Sequence, residues 1–330
     1  MKKLLLIFFL FNILRLTAQE DGQLNLFTAS PLAINPAMTG YFQNAKWRAW
    51  LDHRDQWSNV QKRGMITETF SFDAPITKKK IGYGLLISNN SSLKGLMNDF
   101  SLMGSFGYNN ILSKKNNQYF SFGLQFGLKQ KSFHPEKLSF DEQYIDGVGY
   151  SSSNPNNESF SRTSCLYPDF NAGMLWYVKD RWKSKKPWLG FSVYHLTSPN
   201  ESFTSAASRL PKKLILNGGM DIVSSRNTSM TPQFLIVNQG NFTQATIGYL
   251  LSVNNFRSSN YTTFEIGAFY RTTDAVALTG GFEYMHFKFI FSYEYSITSV
   301  SNTRPGNCSV DLTIRYVKSA GTDRYTTFFF

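Results

Sequence analysis

The stretch TTFEIGAFYRTTDAVALTGGFEYMHFKFIFSYEY, residues 262–295, decides how this chain is read. Phe264, Ile266, Ala268 and Tyr270 alternate with Glu265, Gly267 and Arg271. After the turn Thr272-Thr273-Asp274, Val276, Leu278, Gly280, Phe282 and Tyr284 alternate with Ala277, Thr279, Gly281 and Glu283. Phe287, Phe289, Phe291, Tyr293 and Tyr295 then alternate with Lys288, Ser292, Glu294 and Ser296. A period of two marks strands with one apolar and one polar face. Helical spacing would scatter Arg271, Lys288 and Glu294 around an axis. A soluble sandwich would bury the aromatics in a shared core, whereas a membrane barrel turns them to lipid and keeps charges in its lumen. The stretch predicts three strands of a transmembrane antiparallel β-barrel.

Working outward, the same alternation predicts strands at 46–57, 65–76, 81–88, 99–111 and 119–133. It resumes at 169–178, 188–196, 212–223, 230–238 and 242–253, and ends at 308–316. The total is about fourteen strands, an even number that returns both termini to one side. With the N-terminus in the periplasm, the long gaps 134–164, 197–211 and 298–307 face outward. The Lys-rich gaps at 78–80 and 114–117 face inward. The barrel is expected over 45–317, with a tail at 318–330. Gly82, Gly84, Gly123, Gly127, Gly218, Gly219, Gly280 and Gly281 fall inside strands, where glycine permits curvature or the close approach of a plug.

The chain opens with Lys2 and Lys3, an apolar run over 4–14, then Arg15 and Ala18. A basic start, a short apolar run and a small residue at the cut predict a cleaved secretory signal over 1–19. That run is shorter than the roughly 20 residues a membrane-spanning helix needs. The segment 20–44, broken by Pro31, Pro36 and Gly40, reads as a leader packed in the lumen. Formal net charge is +12, and loss of Lys2, Lys3 and Arg15 leaves about +9. Export and the placement of lysines between apolar runs argue against nucleic acid. The 30 Phe, 17 Tyr and 6 Trp suit a wall facing outer-membrane lipid. Two cysteines, Cys165 and Cys308, allow one disulfide but no framework of bridges.

Chemistry is sparse. His53, His134, His195 and His286 show no metal-ligand spacing with one another or with a cysteine. No Ser lies in a G-x-S-x-G context. The chain therefore reads as a non-enzyme with no cofactor and no metal. Glu265, Arg271, Glu283, Lys288, Glu294, Asp311 and Arg315 mix signs on the lumen faces. Such charges pair across an interior or line a pore, and pairing is the favoured reading.

Several segments resemble one family. Asn35-Pro36-Ala37-Met38-Thr39-Gly40, Arg54-Asp55-Gln56-Trp57 and Phe72-Asp73-Ala74-Pro75-Ile76 are similar to the N-terminal signature of the PorP/SprF proteins of Bacteroidetes. Leu138-Ser139-Phe140-Asp141-Glu142-Gln143, Pro168-Asp169-Phe170-Asn171-Ala172-Gly173, Trp188 to Leu196 and Gly267-Ala268-Phe269-Tyr270-Arg271 follow in the family's order. Where many members carry a His-Glu pair, this chain has Cys308-Ser309.

The resemblance implies an outer-membrane protein of the type IX secretion and gliding machinery. Some members bind and anchor the C-terminal domain of a large secreted surface adhesin and support its export. Others act with the core apparatus through a periplasmic peptidoglycan-binding lipoprotein. A small-solute channel is the alternative outside these roles, and it requires an open lumen. For a partner-binding barrel the outward loops supply the candidate contacts, Phe140, Tyr144, Tyr150, Phe160 and Phe203, because aromatics among polar residues suit protein recognition.

Overall fold

Alternation along the chain becomes fourteen long strands that hydrogen-bond edge to edge until the first meets the last. The computed structural model describes residues 26–42, 45–57, 64–76, 79–145, 147, 149–151, 154, 160–179, 184–225, 227–255, 262–272, 274–297 and 308–319. The expected signal at 1–19, the loop 298–307 and residues 320–330 lie outside the described residues.

In chain order the strands are β1 (Ala45–Gln56), β2 (Met65–Ile76), β3 (Ile81–Ser92), β4 (Met97–Ser113) and β5 (Gln118–Phe133). A short hairpin of β6 (Tyr144–Ile145) and β7 (Gly149–Tyr150) follows, then β8 (Ser164–Val178), β9 (Lys185–Tyr194), β10 (Lys213–Val223) and β11 (Thr228–Gln239). The chain finishes with β12 (Phe242–Asn255), β13 (Thr262–Arg271), β14 (Ala275–Tyr284), β15 (Phe287–Ser296) and β16 (Cys308–Ser319). Neighbours pair antiparallel in sequence order, β8 lies beside β5, and β1 closes on β16 with Leu51 opposite Ile314. The β6–β7 hairpin stands apart from the barrel, in the β5–β8 connection. Closure leaves the wall without a free edge, which hydrocarbon demands. Among the described residues no helix is long and apolar enough to cross a membrane.

The two faces separate as the alternation requires. Outward, Leu124, Leu166, Ile266 and Leu278 keep 63%, 64%, 62% and 60% exposure, too much apolar area for a wall bathed in water. Inward, Ser105, Ser121, Gln125, Asn217 and Ser292 are buried. Phe269 and Ile290 are exceptions in the deciding stretch, large apolar side chains that point into the lumen.

Four prolines, Pro75, Pro168, Pro187 and Pro232, lie inside strands, each where a ladder is interrupted or has ended. Pro168 stands opposite Leu128 of β5, while β9 pairs with β8 only between Ala172 and Tyr177. Pro232 stands opposite Tyr249 of β12, and the β10–β11 ladder skips from Gly219–Gln233 to Ile222–Met230. A missing N–H is tolerated at such gaps. This is why β8 starts at Ser164, earlier than alternation alone predicts. β16 likewise carries Lys318 and Ser319, which alternation leaves in the tail.

Cys165 is buried on β8, its thiol donating to the Asn200 carbonyl at 3.3 Å, and Cys308 sits on β16. The two sulfurs are not joined in a disulfide. Purified protein should therefore show the same intact mass and gel mobility with and without reductant. A reductant-sensitive mass would show that the two sulfurs meet.

Candidate functional site: the plugged lumen and the loop end

Residues 26–42 fold into the barrel. They form three short turns, Phe27–Ala29, Pro31–Ile34 and Pro36–Met38. Pro31 and Pro36 each start a turn, where a fixed φ and an absent N–H cost nothing. Asn35 Oδ1 accepts from the Ala37 N–H at 2.9 Å, and the Thr39 hydroxyl donates to the Pro36 carbonyl at 2.7 Å. Leu32, Asn35, Ala37, Met38 and Thr39 are wholly buried, so this segment fills the interior.

Its seat is a row of bare backbone. Gly82, Gly107, Gly123 and Gly173 stand opposite one another on β3, β4, β5 and β8. A Cβ on Gly123 would overlap the backbone of Pro36 and Ala37, and one on Gly107 would lie 2.6 Å from the Thr39 carbonyl oxygen. Close approach of the leader is thus what requires glycine here. Of the other strand glycines, Gly84 admits Leu32 and Gly219 admits the Trp188 ring, whereas Gly280 faces open space. Polar contacts from β1 to β9 fasten the segment. Asn35 donates to the Met174 carbonyl at 2.9 Å, while Ser121 and Ser192 donate to the carbonyls of Ala37 and Ile34, each at 2.7 Å. Asp73 accepts from the Gly40 N–H at 2.7 Å and from Arg48 Nε at 2.7 Å, and both side chains are buried.

All seven charges singled out from the sequence point inward, and each has an opposite partner. Lys288 meets Glu265 at 2.6 Å, Arg315 meets Glu283 at 2.6 Å, and Arg271 meets Glu294 at 2.8 Å. Arg54 lies between Glu294 at 3.2 Å and Asp311 at 3.3 Å. Beyond the seven, Arg54 and the pairs Arg48–Asp73 and Asp169–His195, the latter at 2.8 Å, are also buried in the lumen. Their signal was available: Arg48, Arg54, Asp73 and Asp169 all occupy polar-phase positions of strands. Arg315 also lies over the Trp50 ring at 5.3 Å. Ser309 donates to Glu294 at 3.1 Å. Among the described residues no cluster of His, Cys, Asp and Glu could hold a metal ion.

Between leader and loops remains a polar chamber of about 140 Å³, bordered by Phe27, Ser30, Asp99, Lys129, Asp169 and His195. That is room for a few waters at about 30 Å³ each. Above it the connections 134–163 and 195–212 pack together. Phe133 meets Phe160 at 5.3 Å and Phe203 at 5.7 Å between ring centroids, and Phe140 meets Phe160 at 6.5 Å. Of the five candidate contact residues, Phe140, Phe160 and Phe203 are thus half-buried in a cluster that joins the loops. Tyr144 and Tyr150 stand directly opposite each other on β6 and β7, 61% and 50% exposed. They are the aromatic tips of this end.

A closed fourteen-strand antiparallel wall, apolar outside, charged inside and plugged by its own leader, defines an outer-membrane-type β-barrel. The chain belongs to the family of type IX secretion system membrane proteins PorP/SprF, whose family model matches residues 16–316. Among solved structures it is similar to the Ralstonia pickettii toluene transporter TbuX, at 10% identity over 88% of this chain and 93% of that one, with a TM-score of 0.50. The monoaromatic hydrocarbon channel CymD matches at 10% identity, 91% and 94% coverage, and a TM-score of 0.50. The Pseudomonas putida toluene transporter TodX matches at 8% identity, 87% and 93% coverage, and a TM-score of 0.51. At such identities the likeness is one of fold alone. No curated protein matches the sequence.

Proposed function

We propose that this barrel is a non-enzymatic platform of the type IX secretion system in the outer membrane. Its turn end faces the periplasm. Its loop end binds and anchors the C-terminal domain of a large secreted surface adhesin and supports that protein's export. The observation that carries the reading is the leader in the lumen: among the described residues, 26–42 are fastened to the wall and occupy the interior, which leaves the rim as the surface for a partner. A solute channel would need the reverse.

Within this reading Tyr144 and Tyr150 are the anchors, because exposed aromatics on a short rigid hairpin contribute large contact area at low entropic cost. Replacing both with Ser should leave the barrel assembled and heat-stable, yet weaken capture of the exported adhesin domain about 30-fold or more, the scale of a 2 kcal/mol hot spot. The direct test is to purify the protein from detergent extract of the native cells and identify what remains bound. If no exported protein co-purifies and planar bilayers show steady conductance, the platform reading fails.

A further inference from the structure

The outer wall carries an apolar groove of about 600 Å³ across β3, β4, β5, β8 and β9. Its borders are two rows of outward side chains in register. Phe106, Leu124, Ala172 and Val193 stand opposite one another strand by strand, as do Ile81, Tyr108, Phe122, Met174 and Phe191. Between the rows the floor is the backbone of Gly107, Gly123 and Gly173, the row whose inner side seats the leader. Ala172 contributes only a methyl, which leaves the trench open at its centre.

The groove slopes. Ile81 opens β3 at the turn end, whereas Phe191 lies well inside β9. Four strand spacings give a length of about 19 Å, against about 15 Å for half the hydrocarbon core. The low end carries cations. Lys79 and Lys80 form the exposed turn before Ile81, and Lys80 Nζ lies 3.5 Å from the Asn110 amide oxygen. Asn110 is two residues beyond Tyr108 on β4, so the Lys80 ammonium sits on the lipid side, directly below the groove. Among the described residues that line it there is no carboxylate.

We propose that this groove binds one anionic phospholipid of the inner leaflet, its acyl chain along the trench and its phosphate at Lys79 and Lys80. A sloping apolar trench with lysines only at its interfacial end matches the shape and charge of such a lipid. A ring of loosely held lipid needs neither the trench nor the placement of charge. The inference requires the turn end to face the periplasm, and it is independent of cargo binding.

The test is native mass spectrometry of the full chain in mild detergent, with added phosphatidylglycerol or phosphatidylethanolamine of identical chains. The wild-type barrel should retain one phosphatidylglycerol, and at least tenfold less phosphatidylethanolamine. Ala172→Trp, filling the trench from outside, should lower phosphatidylglycerol retention at least tenfold. Lys79→Glu with Lys80→Glu should erase the preference between the two lipids. Leu278→Trp, on the opposite wall, should change nothing. Heat-dependent gel mobility confirms assembly, and Ala172→Leu serves if the Trp variant does not assemble. Equal retention of both lipids by the wild type overturns the proposal. So does unchanged phosphatidylglycerol retention in the trench variant or in the double lysine variant.

Discussion

Removing residues 26–42 is expected to turn a tight barrel into an ion-conducting one. The wall does not depend on the leader for closure, since every neighbouring pair of strands has its own ladder and β1 meets β16 directly. What the leader supplies is filling: Phe27, Leu32, Ala37 and Met38 occupy the interior, and Arg48 and Asp73 hold its last turn in place. Planar bilayers should show no steady current with the full protein and stable single-channel steps with the shortened one. A milder form of the same experiment is Gly123→Leu, whose side chain would collide with backbone at Pro36 and Ala37. Overpacking of that kind costs about 1–3 kcal/mol where neighbours can yield. Here the neighbour is backbone, so displacement of the leader, and with it leakage, is the expected outcome. A deletion variant as tight as the parent would show that something other than the leader closes the lumen.

The second large effect is expected at Arg54. Its guanidinium is 1% exposed and serves two carboxylates, Glu294 and Asp311, on β15 and β16. Arg54→Met removes the cation facing buried Asp311, while Glu294 keeps Arg271 at 2.8 Å and the Ser309 hydroxyl at 3.1 Å. Breaking a buried pair from one side costs about 3–5 kcal/mol, and the partners that remain on Glu294 put the expected loss at the lower figure. Asp311→Asn added to Arg54→Met should recover part of that loss, although it removes one more polar contact. Urea unfolding from micelles, followed by gel mobility, reads both steps. Equal stability of Arg54→Met and the parent would mean that the charges are solvated in the lumen, as in an open pore.

The wall was legible in the sequence because period two survives almost unbroken from β12 to β15, and because the charges share one phase. Strand ends were less legible. β3 runs on through Asn89-Asn90-Ser91-Ser92, since a barrel can extend polar strands past the membrane where alternation no longer has two chemistries to contrast. β8 begins before Pro168, a residue that from sequence alone reads as a strand boundary. The seat of the leader was half legible. Glycines within strands pointed to a close approach, but only the register shows that Gly82, Gly107, Gly123 and Gly173 form one row. The loop aromatics were the least legible. Composition cannot tell a ring that fastens two loops, such as Phe160, from one that stands clear, such as Tyr144, because both sit in predominantly polar loop sequence.

The hydrogen bonds of the leader also impose an order in time. Its partners Arg48, Asp73, Ser105, Ser121, Met174 and Ser192 all precede residue 195, whereas the seam needs residues 308–319. The leader can therefore bed down on a half-made curved sheet, and the last strand seals an interior that is already furnished. A polypeptide truncated ahead of Cys308 would keep the furnishing but lose the seal, and it should reach the cell's proteases as an unrolled sheet.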